Sequence, residues 1–153
     1  MRLEISYFGL SKKRSLLPVS IKKLQEIAVY TLSQIGLTPS FVSIYFVSEA
    51  RIRELNRQFL GHDYSTDVLT FPQTEDSDFL GEDSLGDIFL SPTYIRRQAK
   101  ELGISFAEEF VRMFAHGILH AAGLDHGTER EAKKMFSLQE KIVFKFVSGK
   151  RDI

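Results

Sequence analysis

The chain has 153 residues and contains no cysteine. Disulfide bonds are therefore excluded, and so is any zinc site built from thiolates, which leaves imidazole and carboxylate groups as possible metal ligands. No run of about 18 apolar residues occurs, so the sequence predicts no membrane span. The first ten residues, MRLEISYFGL, lack the long apolar core of a signal peptide, and we therefore expect a cytoplasmic protein.

Positive charge is absent from the middle of the chain. No lysine or arginine lies between Arg57 and Arg96, a stretch that holds eight acidic residues. The whole chain has 20 basic and 20 acidic residues, so its net charge gives no indication of a nucleic-acid partner. Basic residues outside this stretch form local groups, which either contact phosphate or lie on solvated helix faces. The groups are Lys12, Lys13 and Arg14; Arg51, Arg53 and Arg57; and Arg96, Arg97 and Lys100.

A length of 153 residues and a hydrophobic content of 43% fit one domain over residues 1–153. Hydrophobic periodicity and capping residues predict an α+β fold with mixed α/β layers, in which a four-stranded sheet packs with about five helices. An acidic loop, TEDSDFLGEDS at 74–84, separates the third and fourth strands and allows them to pair in antiparallel fashion. The strands are expected at 2–8, 41–48, 66–72 and 85–91, and the helices at about 20–35, from 48, 92–102, 106–122 and 128–147.

Two capping boxes delimit the last two helices. Ser105 with Glu108, and Thr128 with Glu131, have the spacing in which a hydroxyl and a carboxylate cap the first turn. The apolar residues of the last helix recur at helical intervals and are expected to face the core. They are Met135, Phe136, Ile142, Val143 and Phe146.

Three of the four histidines lie within eleven residues, in the stretch HGILHAAGLDHG at 116–127. His116 and His120 are four residues apart on a predicted helix, so their side chains project from one face. Gly123 allows the chain to leave the helix and turn back, which brings His126 towards the same point. Three imidazoles would hold one Zn²⁺ ion and leave a fourth position open for an activated water, as in catalytic sites. The same donors also suit nickel, copper or cobalt.

Two carboxylates flank the third histidine. Asp125 could accept the second ring N–H of a histidine ligand, or it could be a turn residue after Gly123. Glu131 could be a general base, but its place in a capping box explains it without catalysis. The sequence therefore identifies no catalytic side chain. The only catalytic group that it indicates is the metal-bound water at the histidine site.

The histidine spacing also matches a zinc-peptidase motif, H-E-x-x-H, in which the glutamate is the general base. His126 lies ten residues after His116, as in the extended form of that motif, but Gly117 stands in place of the glutamate. Because no side chain at 117 can take up a proton, the sequence disfavours a metallopeptidase. An activated water could instead attack a phosphodiester, whose developing charge a metal ion also neutralises.

The pattern H-G-x-L-H-x-x-G-x-D-H resembles the signature of the YbeY family of bacterial rRNA maturation factors. Two further segments, LNRQFLGHDYSTDVLTFP at 55–72 and LGDIFLS at 85–91, are similar to other family segments. Every fixed position of the signature is matched, by His116, Gly117, Leu119, His120, Gly123, Asp125 and His126.

The resemblance implies a metal-dependent endoribonuclease that is specific for single strands. It links the chain to the processing of the 16S rRNA 3′ end and to ribosome quality control, with rRNA and the small ribosomal subunit as partners. The zinc ligands that it implies are His116, His120 and His126.

Two positions depart from the family pattern. Leu60 stands where most members carry an arginine thought to engage RNA phosphate, and a leucine has neither charge nor donor. Arg57, about one turn earlier, could bind the substrate instead if it faces the cleft. Ser65 replaces the usual proline. Asp67 matches a frequent family acid, although a role as a cap or turn acceptor also explains it.

Three functional classes stay open at this point. The first is a metal-dependent RNA hydrolase. The second is a non-catalytic ribosome-assembly factor, in which a structural metal ion holds the 116–126 segment and the protein works by binding. The third and weaker alternative is a metallopeptidase, against which Gly117 counts.

Overall fold

The computed structural model describes residues 1–10, 16–73 and 83–147 of the chain. The basic group Lys12, Lys13 and Arg14 lies outside these ranges, and so do residues 74–82 of the predicted acidic loop. Within the ranges the order of elements is β1 (Arg2–Phe8), α1 (Ile21–Ser33), β2 (Phe41–Val47), α2 (Glu49–Leu60), β3 (Val68–Pro72), β4 (Ser84–Leu90), α3 (Pro92–Leu102), α4 (Phe106–Ala121) and α5 (Glu129–Phe146).

The strands that the structure describes form one mixed sheet in the order β1-β2-β4-β3. Strand β2 pairs in parallel with both β1 and β4, so that Ile44 lies between Ile5 and Ile88. Strand β3 pairs with β4 in antiparallel fashion, with Leu69 opposite Phe89. The predicted α+β fold and the antiparallel pairing are therefore confirmed.

The main core lies between one face of the sheet and helices α1, α3, α4 and α5. Helix α4 is central, since it packs against α1, α3, α5 and strands β3 and β4. Its apolar stripe of Phe110, Phe114 and Ile118 is fully buried. Burial of each such side chain contributes roughly 1.5–3 kcal/mol, so the helix that carries two of the histidines is firmly anchored.

A smaller core covers the opposite face of the sheet. Successive strand residues point to opposite faces, so Val47 and Leu69 face away from the main core and pack with Ile52 and Leu55 of α2. Helix α2 therefore lies across the sheet from α4, and its C-terminal end leads into the edge strand β3.

Only the hydroxyl half of each predicted capping box is confirmed, because among the described residues neither Glu108 nor Glu131 accepts the N–H of its cap residue, and the Glu108 carboxylate binds Arg112 instead. Ser105 Oγ accepts the N–H of Glu108, and Thr128 Oγ1 accepts the N–H of Glu131, each at 3.1 Å. Each hydroxyl satisfies one backbone donor that the first turn of a helix leaves without an intrahelical partner.

Two boundaries and one burial prediction were wrong. Helix α1 ends at Ser33 rather than near 35, and β3 begins at Val68 rather than at 66. Phe136 was expected to face the core, but it is 63% exposed. The buried stripe of α5 passes through Met135 and Gln139, and Phe136 lies about 100° around the helix axis from Met135. None of the helices within the described ranges is long and apolar enough to cross a membrane.

Candidate metal centre

The structure brings His116, His120 and His126 together. His116 and His120 occupy the last two turns of α4, and His126 follows in the turn before α5. The ring centroids are 6.3 Å apart for His116 and His120, and 6.1 Å apart for each of the other two pairs. The three imidazoles therefore form a nearly equilateral triangle.

A tight helix end produces this triangle. Gly123 has φ of +101°, which a residue with a side chain rarely adopts. The N–H of Gly123 donates to the carbonyl of His120, and the N–H of Leu124 donates to that of Leu119, both at 3.0 Å. These bonds close the last turn of α4 and reverse the chain, so that His126 returns to the face that carries the other histidines.

Two of the rings are oriented through Nδ1. The Nδ1 of His116 lies 2.9 Å from Oε1 of Gln139, and the Nδ1 of His120 lies 3.1 Å from the carbonyl oxygen of Leu124. Both partners are acceptors, so each Nδ1 must carry the proton and donate it. Each Nε2 then keeps its lone pair and is the atom that a metal ion would bind.

The environment of His116 favours its neutral form. Burial lowers the pKa of the imidazole below its usual 6.5, the hydrogen bond with Gln139 acts in the opposite direction, and the charge of His120 lowers the pKa again. Asp67 raises it by a smaller amount. A metal ion requires the neutral imidazole, so this ring is ready to act as a ligand at neutral pH.

The triangle is wider than a loaded metal site. Among the residues that the structure describes, no group of three or more histidine, aspartate and glutamate residues is already arranged to hold a metal ion. Imidazoles bound to one ion through bonds of about 2.0–2.1 Å would lie closer together than these rings do. His126 is exposed, and its ring forms no hydrogen bond with another described residue, in contrast to the rings of His116 and His120. The donor set fits a divalent transition metal, while the spacing corresponds to an open arrangement.

Asp125 contacts the backbone of the turn. Its Oδ1 accepts the N–H of His126 at 2.7 Å. This bond supports the turn that presents His126, as an aspartate after a helix end commonly does.

A network of charged side chains that sequence reasoning missed reaches His116. Arg112 donates to Oε1 and Oε2 of Glu140 at 2.9 Å each, to Glu109 at 3.1 Å and to Glu108 at 3.2 Å. Glu140 in turn accepts from Nε2 of Gln139 at 3.2 Å, which fixes the amide so that its oxygen faces His116. The spacing of Arg112 from Glu108 and Glu109 could have indicated a pairing within α4, but nothing in the sequence indicates the pairing with α5.

The same network continues to Asp67 at the start of β3. Gln98 Nε2 donates to Glu109 Oε2 at 2.6 Å and to Asp67 Oδ2 at 3.2 Å. The other oxygen of Asp67 accepts the N–H of Val68 at 2.7 Å. Asp67 therefore binds the first N–H of β3 and, through Gln98 of α3, links this edge strand to Glu109 of α4.

Gly117 packs α4 against the sheet. A Cβ atom at this position would lie 2.9 Å from Cγ2 of Ile88 and 3.3 Å from Cγ2 of Val68. Such distances are too short for a side chain, so the helix and the sheet approach this closely only because the residue is glycine. Position 117 faces the sheet and not the imidazoles.

Arg57 and Leu60 lie on the last turns of α2, and both side chains are exposed. Other basic residues of the predicted groups are paired: Arg53 with Asp63 at 2.9 Å, and Arg97 with Glu49 at 2.6 Å. Arg57 forms no ion pair of this kind with another described residue, so its guanidinium is available to an outside ligand. It lies on α2, across the sheet from the helix that carries His116 and His120.

The sequence profile of the family described as Endoribonuclease YbeY matches residues 11–147. The chain belongs to the YbeY family. A curated YbeY from a Sulfurihydrogenibium species is 42% identical over 125 residues, which cover 81% of this chain and 82% of the relative. YbeY from Aquifex aeolicus is 40% identical over 137 residues, which cover 90% and 88%. The solution structure of a Thermotoga maritima protein is similar with a TM-score of 0.62 at 36% identity, over 97% of this chain and 92% of that one.

Proposed function

We propose that this YbeY-family chain is a zinc-dependent endoribonuclease specific for single-stranded RNA. One observation carries the proposal: His116, His120 and His126 converge, and the Nδ1 atoms of the first two are occupied by carbonyl acceptors. Their Nε2 atoms are therefore free for a metal ion. The curated relatives, each called Endoribonuclease YbeY, support phosphodiester hydrolysis as the reaction.

A zinc ion held by these imidazoles would lower the pKa of a water molecule and neutralise charge that develops on a phosphoryl oxygen. The protein's own contribution is to orient the rings of His116 and His120 so that Nε2 is the free nitrogen of each. The side-chain oxygen of Gln139 accepts a hydrogen bond from Nδ1–H of His116, and the carbonyl oxygen of Leu124 accepts one from Nδ1–H of His120. Asp125 holds the turn from which His126 extends.

The biological role that we propose follows the family resemblance. It is the processing of the 16S rRNA 3′ end and ribosome quality control, carried out in the cytoplasm with the small ribosomal subunit as partner. Arg57 is the proposed substrate-binding residue, because it is an exposed cation at the end of α2 that no described carboxylate pairs.

The experiment compares the wild-type chain with His120→Ala and, as a matched control, His62→Ala. His62 is the fourth histidine and stacks on Tyr64, outside the triangle. Metal content is measured by mass spectrometry, and each protein is incubated with single-stranded RNA, duplex RNA and casein. We expect wild type and His62→Ala to bind about one zinc ion per chain and to cleave only single-stranded RNA, and His120→Ala to lose both properties. Equal cleavage by His120→Ala would contradict the proposal.

A non-catalytic assembly factor is the second candidate, and Leu60 is the observation that favours it. This side chain is 53% exposed at the position where the family resemblance predicts a phosphate-binding arginine. If the wild type binds metal and small ribosomal subunits without cleaving RNA, while Leu60→Arg cleaves it, the assembly role is the correct one. If the wild type already cleaves RNA and Leu60→Arg only cleaves it faster, the result supports the nuclease function.

A further inference from the structure

A cleft of about 310 Å³ opens between α4 and α5, directly beside the histidine triangle. His116 and His126 belong both to its lining and to the proposed metal site, so a group bound in the cleft would lie next to a phosphate at that site. Its lining includes Met113, His116, His126, Met135, Phe136 and Gln139.

Phe136 is the exposed wall of this cleft. Its side chain is 63% exposed, although it follows the buried Met135 on the same helix. It forms no ring pair with another aromatic side chain in the described part of the chain. A large aromatic ring left open beside a polar site is a common feature of binding surfaces, because its flat face is available to a ligand.

The side-chain amide of Gln139 in this cleft is already engaged. Oε1 of Gln139 accepts from His116, and Nε2 of Gln139 donates to Glu140. The imidazoles of His116 and His126, which the proposed metal ion would engage, form one side, and the remaining walls are the thioether, methyl and aromatic surfaces of Met113, Ala132, Met135 and Phe136. Such walls bind a flat, polarisable group through its face and give little recognition of its hydrogen-bonding edge.

The size and the charges around the cleft favour a nucleobase as that group. A volume of about 310 Å³ is at the lower end for ligand pockets, which suits one ring system attached to a chain outside. Lys133, three residues before Phe136 on α5, lies on the same side of the helix and forms no ion pair with any described residue. It can therefore contact the phosphate of a nucleotide whose base lies against Phe136.

We propose that this cleft is a subsite that stacks one unpaired base of the RNA against Phe136, beside His116 and His126. The inference rests on the proposed function and deepens it, because it explains a preference for single strands. A base must leave its pair and its stack before its face can meet Phe136, so duplex RNA is excluded. Since the walls contact only the face of the base, the subsite accepts all four bases.

The test measures binding of a fluorescein-labelled single-stranded RNA to the full chain by anisotropy at constant ionic strength. Phe136→Ala is compared with Phe136→Trp and with Phe144→Ala, which removes another aromatic ring of α5 that is 62% exposed but lies outside the cleft. Loss of one stacked base is expected to weaken binding by about five-fold to 150-fold in Phe136→Ala. Phe136→Trp and Phe144→Ala should bind as the wild type does. The salt dependence should not change, because no charge is removed.

A second readout uses RNA in which 2-aminopurine replaces one base at successive positions. Stacking on Phe136 is expected to quench its fluorescence at one position in the wild type and not in Phe136→Ala. Equal binding by Phe136→Ala and Phe144→Ala, with no position-specific quenching, would overturn the subsite even if RNA is cleaved. A wild type that binds no single-stranded RNA overturns the proposed function as well. If Phe136→Ala keeps its RNA affinity but loses binding to ribosomal subunits, the cleft takes a protein side chain and the base subsite is wrong.

Discussion

The amide oxygen of Gln139 lies 2.9 Å from Nδ1 of His116, so a residue of α5 determines which ring nitrogen of an α4 histidine carries the proton. This contact joins two helices directly behind the proposed metal site. Gln139 is only 8% exposed, and the NH₂ of the same side-chain amide donates a hydrogen bond to Glu140. The orientation of the His116 ring is therefore set by packing between helices and not by the histidine alone.

Replacement of Gln139 by leucine should weaken metal binding. The variant removes the acceptor while keeping most of the side-chain volume, so His116 loses the hydrogen bond that keeps Nε2 unprotonated and directed at the ion. Loss of such a partner typically costs about 10–100-fold in metal affinity. Zinc affinity is measured by competition with a chromogenic chelator. Gln34→Leu, which removes an amide that accepts from Lys141 and contacts no ring of the triangle, serves as the control that should retain the wild-type affinity. Identical zinc affinity in wild type and Gln139→Leu would show that the contact is only structural.

Arg112 is expected to contribute strongly to stability. It bridges three carboxylates, one of which, Glu109, is only 3% exposed. In Arg112→Met the charge of Glu109 would stay buried without its cation, which costs about 3 kcal/mol in the free energy of unfolding. The measurement is urea denaturation followed by circular dichroism.

The matched control for this prediction is Arg53→Met. Arg53 also pairs with a carboxylate, Asp63, at 2.9 Å, but both side chains are exposed. Exposed pairs commonly contribute nothing measurable, so the urea midpoint should stay close to that of the wild type. Equal effects of the two substitutions would mean that burial of the network is not what makes Arg112 important.

The sequence was sufficient for the fold class and for the succession of helices and strands, because those signals are local, whereas the sheet order β1-β2-β4-β3 depends on contacts between distant segments. Caps such as Ser105 and Thr128 lie next to the helices they begin, and the alternation of Leu3, Ile5 and Tyr7 needs no knowledge of the rest of the chain. The error at Phe136 has a different origin. Helical spacing shows which residues share a face, but only the packing of α5 against α4 determines where that face ends.

The site was predictable only in part, for the same physical reason. His116, His120 and the turn at Gly123 lie within one short segment, so spacing alone brings the rings together. The partner of His116 is 23 residues away on another helix, and no local pattern indicates that Gln139 faces it. The charged network from Arg112 to Glu140 crosses between helices over 28 residues and was missed in the same way.

Gly117→Glu, which restores the peptidase motif H-E-x-x-H, should not create a peptidase. A Cβ atom at 117 already meets Ile88 Cγ2 at 2.9 Å, so a glutamate would push α4 away from the sheet and would place a carboxylate in an apolar contact. We expect a loss of about 2 kcal/mol or more in the free energy of unfolding, and no cleavage of casein. A stable Gly117→Glu protein that cleaves casein would contradict this account.

The stability of the metal-free protein should fall with acid in a way that depends on His116. Burial lowers the pKa of His116 in the folded state, so as the pH falls below about 6.5 the unfolded chain takes up a proton that the folded protein does not. This contribution to stability is present above the unfolded pKa and is lost as the pH falls through the folded pKa. The free energy of unfolding is measured after chelation, between about pH 7.5 and pH 5, for wild type and His116→Gln. The wild type should lose more stability over this range than His116→Gln does, with His62→Gln as the control for loss of a histidine. Parallel curves for wild type and His116→Gln would mean that the imidazole is as easily protonated in the folded protein as in the unfolded chain.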